Sequence, residues 1–331
     1  MKLKLLSLFS IISSLLFGQT KRVGETTKIY IDSLRNNRVI KTEIWYPTND
    51  IDPNGIRKTE LPFLLESTIK DATITGNKHS IVFLSHGTGG NRFGLAWLAI
   101  ALAKNGFIVI AIDHFGNTFD TIIPEYFARY WDRPLDISFT LTKILEDNDL
   151  KKYIDPEKIG IAGFSFGGYT SLALAGANID CEILKEKVNT NEGKKEFTAD
   201  LAKLTNEIDC SKVATSFKDK RIKAFIAMSP AIGLGFDSEK QIDITDPVLI
   251  IGAGNDKITP LETNAERYHK LIKTSTYFKI RGNVSHYIFL PKRKKYNQSE
   301  KIFYEDAAGI NREEIHKKIE NKAIHFFNKT L

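Results

Sequence analysis

From residue 81 onward, apolar runs of four to six residues alternate with longer stretches that carry apolar side chains at helical spacing. The short runs are residues 81–84, 107–112, 159–162, 224–228, 248–251 and 277–280, and the helical stretches are 94–104, 134–147, 169–177 and 262–272. A strand that faces water on one side alternates apolar with polar residues. One that is apolar throughout is covered on both faces. Helices between such strands return the chain to the same edge, so the strands run parallel. The expectation is an α/β protein with a mostly parallel central sheet and helices on both faces. Ahead of this pattern, residues 28–32 and 39–46 read as two strands, with the turn-rich Arg35-Asn36-Asn37-Arg38 between them, and residues 47–59 read as a loop. The charged, helix-leaning segment 178–221 is longer than a connection requires and reads as a cap inserted over one end of the sheet.

Composition bounds the alternatives. In 331 residues, 42% are hydrophobic and 26% charged, which excludes a disordered chain, a collagen and a coiled coil. Two cysteines are too few for a disulfide scaffold or an all-cysteine zinc site. The net charge is +7, but the basic residues are scattered, so no nucleic-acid footprint is expected. Residues 1–18 open with two lysines, continue with an apolar run over 5–17 and end at a glycine, the pattern of a secretory signal peptide. That run is shorter than the roughly 20 residues of a membrane span, so no stable membrane insertion is expected once it is removed. The alternative is an uncleaved anchor. One domain is expected over residues 19–331, with its insertion at 178–221. Export and a shared place in that insertion imply a disulfide between Cys181 and Cys210.

The chemistry-bearing signal is Gly163-Phe164-Ser165-Phe166-Gly167-Gly168, set between an apolar strand and a helix of small residues. A serine at so sharp a strand-to-helix turn is exposed at the sheet edge, and the helix N-terminus behind it favours developing negative charge. Ser165 is the expected nucleophile. It needs a base, and His286 follows the last apolar strand in a loop opened by Gly282 and Asn283. His79, His86, His114, His269, His316 and His325 lie in less suitable places. The base needs an acid to hold its tautomer. Asp256 lies just past a central strand, in Gly254-Asn255-Asp256, whereas Asp237, Asp243 and Asp246 precede that strand. Finally, Ser85-His86-Gly87-Thr88-Gly89-Gly90 follows a strand and can turn backbone N–H groups toward an oxyanion. The expected donors are Thr88 and Phe166. The loop lacks the spacing of a phosphate-binding motif.

Taken together, these pieces resemble the dienelactone-hydrolase-related branch of the α/β-hydrolase superfamily, which includes bacterial relatives of the plasma-type platelet-activating-factor acetylhydrolases. Ile44-Trp45-Tyr46-Pro47, Asp113-His114-Phe115-Gly116-Asn117-Thr118, Arg133-Pro134-Leu135-Asp136-Ile137 and His286-Tyr287-Ile288-Phe289-Leu290 carry the resemblance along with the motifs above. The order Ser165, Asp256, His286 is that of the superfamily. Two departures stand out. Dienelactone hydrolases proper use a cysteine nucleophile, and the plasma enzymes take their acid from the preceding strand end, which here reads Met228-Ser229-Pro230. The resemblance implies a secreted serine hydrolase of carboxylic esters that acts on a small-molecule substrate with no metal or cofactor. Small to medium apolar acyl groups are expected, with Phe119, Ile122, Tyr126 and Trp131 as pocket wall. A serine peptidase of the same fold and a catalytically inactive binding protein are the alternatives.

Overall fold

The computed structural model describes residues 22–51, 56–57, 61–236, 238 and 241–331. The expected signal peptide, and residues 52–55 and 58–59 of the expected loop, lie outside the described residues.

The described residues begin with an antiparallel hairpin, β1 (Arg22–Asp32) and β2 (Arg38–Thr48). Asn36 and Asn37 turn it at φ 57° and 52°, the left-handed region that asparagine tolerates better than most residues. β2 takes in Pro47 and Thr48, and β3 (Ile56–Arg57) pairs with β4 (Thr68–Lys70), so the expected loop over 47–59 is partly strand. Next come β5 (His79–Ser85), α1 (Ala96–Lys104) and β6 (Ile108–Ile112). The small ribbon of β7 (Asn117–Thr118) and β8 (Thr121–Ile122) precedes α2 (Glu125–Ala128) and α3 (Asp132–Glu146). β9 (Ile154–Phe164) runs into α4 (Phe166–Ala175). The insertion holds α5 (Cys181–Val188), α6 (Gly193–Glu196) and α7 (Ala199–Asn206). The chain closes with β10 (Ala224–Met228), β11 (Val248–Ala253), α8 (Ala265–Leu271), β12 (Ser275–Ile280), α9 (Lys301–Tyr304) and α10 (Arg312–Thr330).

Among the described residues, ten strands form one sheet in the order β12-β11-β10-β9-β5-β6-β2-β1-β4-β3. The six strands from β12 to β6 are mutually parallel, and β2 joins them antiparallel. Successive residues of each parallel strand feed opposite faces. Ile81, Phe83, Ile159 and Ile161 pack with α3 and α4, whereas Val82, Leu84, Ala162 and Phe164 pack with α1 and α10. This two-sided burial is what the uninterrupted apolar runs required. α1 is apolar almost all round because the sheet covers one side and α10 another. No helix among the described residues is long and apolar enough to cross a membrane.

In the insertion, the Asp180 side chain caps α5 by accepting from Glu182 N and Ile183 N, and Thr198 caps α7. Cys181 and Cys210 form a disulfide, with Cα atoms 5.7 Å apart. Leu184, Val188 and Phe197 are buried against the main core.

Candidate active site

Parallel α/β sheets present their sites beyond the C-terminal strand ends. Here β5, β9, β11 and β12 deliver the His86–Gly90 loop, Ser165, Asp256 and His286 to the same edge. Ser165 stands alone between β9 and α4 at φ 57° and ψ −119°. Its N–H donates to Met228 O at 2.9 Å, and its carbonyl accepts from Ala231 N at 3.0 Å, so neighbouring backbone holds the turn. The flanking glycines are sterically required. A Cβ at Gly163 would fall 1.9 Å from Gly167 O, and one at Gly167 would fall 2.0 Å from Ser85 O.

The Ser165 hydroxyl lies 3.0 Å from Nε2 of His286, whose Nδ1 lies 2.7 Å from Oδ2 of Asp256. All three side chains belong to buried residues. The other Asp256 oxygen accepts from the backbone N–H of Ile258 at 3.0 Å and of Thr259 at 2.8 Å. Burial pushes the Asp256 carboxyl up, but the imidazole, the Thr259 N–H and the Ser229 hydroxyl outweigh it and hold the group below its usual range. The sequence reading missed Thr259, whose hydroxyl donates to Asp256 Oδ2 at 3.0 Å and lies 3.2 Å from His286 Nδ1. A threonine three residues past the expected acid was the available signal.

The competing residues lie elsewhere. Asp243 is exposed and ion-paired with Lys218, and Asp246 is half-buried at the start of β11, while Asp237 lies outside the described residues. His316 stacks on Trp97 with ring centroids 3.8 Å apart, and burial pushes it down to about 3. His114 is buried beneath the site and pushed down to about 4.

The N–H groups of Thr88 and Phe166 have no acceptor among the described residues, and both residues border the same small cavity as Ser165. Phe166 is the first residue of α4, where a helix leaves its N–H unbonded. Gly89 N donates to Asn117 Oδ1 at 2.9 Å, which ties this loop to the β7 ribbon.

The cavity measures about 100 Å³. One side is formed by Phe127, Ala128 and Tyr130, and the other by Leu184, Phe197 and Leu201 of the insertion. Of the expected wall residues, none borders it. Phe119 and Ile122 point into solvent at 74% and 61% exposure. Tyr126 lies between the guanidinium groups of Arg38 and Arg129, at 4.9 and 4.6 Å, and Trp131 packs edge-on against Tyr130. The same segment reaches the cavity through Phe127, Ala128 and Tyr130 instead. The insertion's contribution was not anticipated residue by residue.

A family described as PET hydrolase-like matches residues 66–193. Cutinase est1 of Thermobifida alba is 26% identical over 214 residues, covering 64% of this chain and 54% of its own length. Cutinase cut1 of Thermobifida fusca is 25% identical over 199 residues, covering 60% and 46%. The chain thus spans about half the length of the curated relatives it matches. The solved structure of a ferulic acid esterase from Streptomyces cinnamoneus superposes with a TM-score of 0.63, over 95% of this chain and 91% of that one, at 18% identity. The fold is that of the α/β hydrolases, as the sequence resemblance implied, and the matches fall on its esterase branch.

Proposed function

We propose that this chain is an exported serine hydrolase that cleaves carboxylic esters with small to medium apolar acyl groups. The observation that carries the reading is the unbroken line of hydrogen bonds from the Ser165 hydroxyl through His286 to Asp256. In this mechanism Ser165 Oγ attacks the acyl carbon while His286 Nε2 takes its proton. Asp256 holds the imidazole by the Nδ1–H and stabilises its positive charge. The tetrahedral oxyanion accepts from the N–H groups of Thr88 and Phe166. Collapse expels the alcohol, which leaves with the proton held by His286. Water then enters, gives a proton to His286 and attacks the acyl carbon, and the acid departs as Ser165 regains its hydrogen.

Similarity to proteins named cutinase and to a ferulic acid esterase supports esters as the substrate class. The signal-like residues 1–18 and the Cys181–Cys210 disulfide support export. The cavity walls from Leu184, Phe197 and Leu201 support a cap role for segment 178–221 within a hydrolase domain over 19–331. The test is labelling with a fluorophosphonate probe beside turnover of chromogenic esters. Labelling and ester turnover in the wild type, both lost in Ser165→Ala, are expected. A wild type inert to probe and esters would indicate a binding protein, and efficient amide cleavage would indicate a peptidase.

A further inference from the structure

Arg133, in the first turn of α3, is 1% exposed, yet among the described residues no carboxylate lies within ion-pair distance of its guanidinium. A buried charge without a counter-charge is costly unless other groups solvate it. Its acceptors are carbonyls of one loop: Nη1 donates to His86 O at 2.5 Å, and Nη2 donates to Gly87 O at 3.1 Å and lies 3.2 Å from His86 Nδ1, while Nε has no hydrogen-bond partner among the described residues. Two further donors meet the Gly87 oxygen, Gly90 N at 3.1 Å and His86 Nδ1 at 2.7 Å. The His86 proton is assigned to Nδ1 because Nε2 accepts from His114 N at 3.2 Å.

The Gly87 carbonyl and the Thr88 N–H belong to one peptide unit. No described peptide is cis, so the two point in opposite directions. Donors that grip the oxygen therefore fix where the N–H points, and a cation on the oxygen strengthens the N–H as a donor. The same guanidinium also lies 4.7 Å from the ring centroid of Phe166, whose N–H is the second expected donor.

We propose that Arg133 is a positioning residue that aims and polarises the oxyanion donors by clamping the Gly87 carbonyl from beneath and bracing Phe166. The inference rests on the esterase reading. Burial pushes the Arg133 guanidinium down to about 9 against the attraction of the more distant Asp136, so it still carries its charge at neutral pH.

The test is turnover of a chromogenic butyryl ester by Arg133→Met and Arg133→Lys, beside inhibition by an alkyl boronic acid that mimics the tetrahedral intermediate. Arg133→Met should lose about 100-fold in kcat with KM within about threefold, and boronic acid affinity should fall by a similar factor. Arg133→Lys keeps a cation that can reach one carbonyl and should lose about tenfold. Tyr169→Phe removes a buried hydroxyl that has no hydrogen-bond partner among the described residues and should leave kcat unchanged. A folded Arg133→Met with wild-type kcat, or one in which KM rises while boronic acid affinity holds, would overturn the proposal. If Arg133→Met does not fold, wild-type kcat in Arg133→Lys overturns it and the tenfold loss supports it. Absence of Ser165-dependent turnover in the wild type would overturn the esterase reading and this proposal together. Failure at Arg133 alone leaves the esterase reading standing.

Discussion

Ser165 occupies a backbone state that costs a residue with a Cβ on the order of 1–3 kcal/mol, and its surroundings must enforce it. They do so by contact: the glycine at 163 lies against Gly167, and Ser165 N and O are both bonded to backbone. Gly163→Ala should therefore destabilise by more than about 3 kcal/mol or prevent folding, read as loss of the thermal transition. The proposed acid can be tested in the same way. Asp256→Asn should lower kcat by about 10⁴ while the fold persists, because the amide no longer holds the imidazole in the required tautomer. Asp243→Asn and Asp246→Asn should leave kcat unchanged. Full activity in Asp256→Asn would assign the acid elsewhere.

Two elements carry their own expectations. In the β1–β2 hairpin, Glu43 and Glu25 are 0% and 3% exposed and side by side. Burial, and then the neighbouring Glu25, push the Glu43 carboxyl up to about 7 against the lowering effect of Thr27 and Arg92. The folded state thus holds this proton more tightly than the unfolded chain. Its stabilising contribution is complete below about pH 4.5 and is lost as pH rises through about 7. Glutamine at this position can still accept from Thr27 and Arg92 but has no charge to desolvate. Glu43→Gln should raise the thermal midpoint at pH 8, with the gain shrinking toward pH 5. A midpoint difference that does not vary with pH would refute the linkage. The second element is the insertion, where the disulfide closes a loop across 29 positions. In the chain-entropy model such a loop is worth roughly 3.5 kcal/mol. Cys181→Ser should lower the thermal midpoint and, because α5 supplies Leu184 to the cavity, raise KM more than it lowers kcat.

For the molecule as a whole, the cavity lies between the sheet edge and the insertion, so its size depends on how the two pack. At about 100 Å³ it is smaller than the roughly 150 Å³ of a cavity that takes benzene. Each methylene that still fits adds up to about 0.8 kcal/mol. In a p-nitrophenyl ester series, kcat/KM should climb from acetyl to butyryl or hexanoyl and then fall. The insertion carries exposed Glu186, Glu192, Lys194 and Lys195, a poor face for an oil surface, so no jump is expected with emulsified triglyceride. A steady rise beyond octanoyl, or preference for the emulsion, would contradict this.

The features legible in the sequence were those set by local physics. Strands buried on both faces leave uninterrupted apolar runs, so β10 was read with its observed ends and the parallel core followed. The turn at Ser165 was legible because glycine is needed within two residues of it, and the nearness of Asp256 and His286 to it was legible because both follow strand ends. The hydrogen bonds that bring Ser165, His286 and Asp256 together reach across the sheet, and the tertiary structure alone supplied their distances. It also decided everything that depends on where a side chain points. Phe127 and Tyr130 face the cavity while Phe119 and Tyr126 do not, because the turn of a four-residue helix is set by packing rather than by apolar content. Arg133 meets Gly87 across 46 positions of chain, and Glu25 meets Glu43 only through the hairpin register. Hydrophobic pattern records which residues leave water. Which of them then touch is decided by the packing of distant segments, and composition along the chain carries no trace of it.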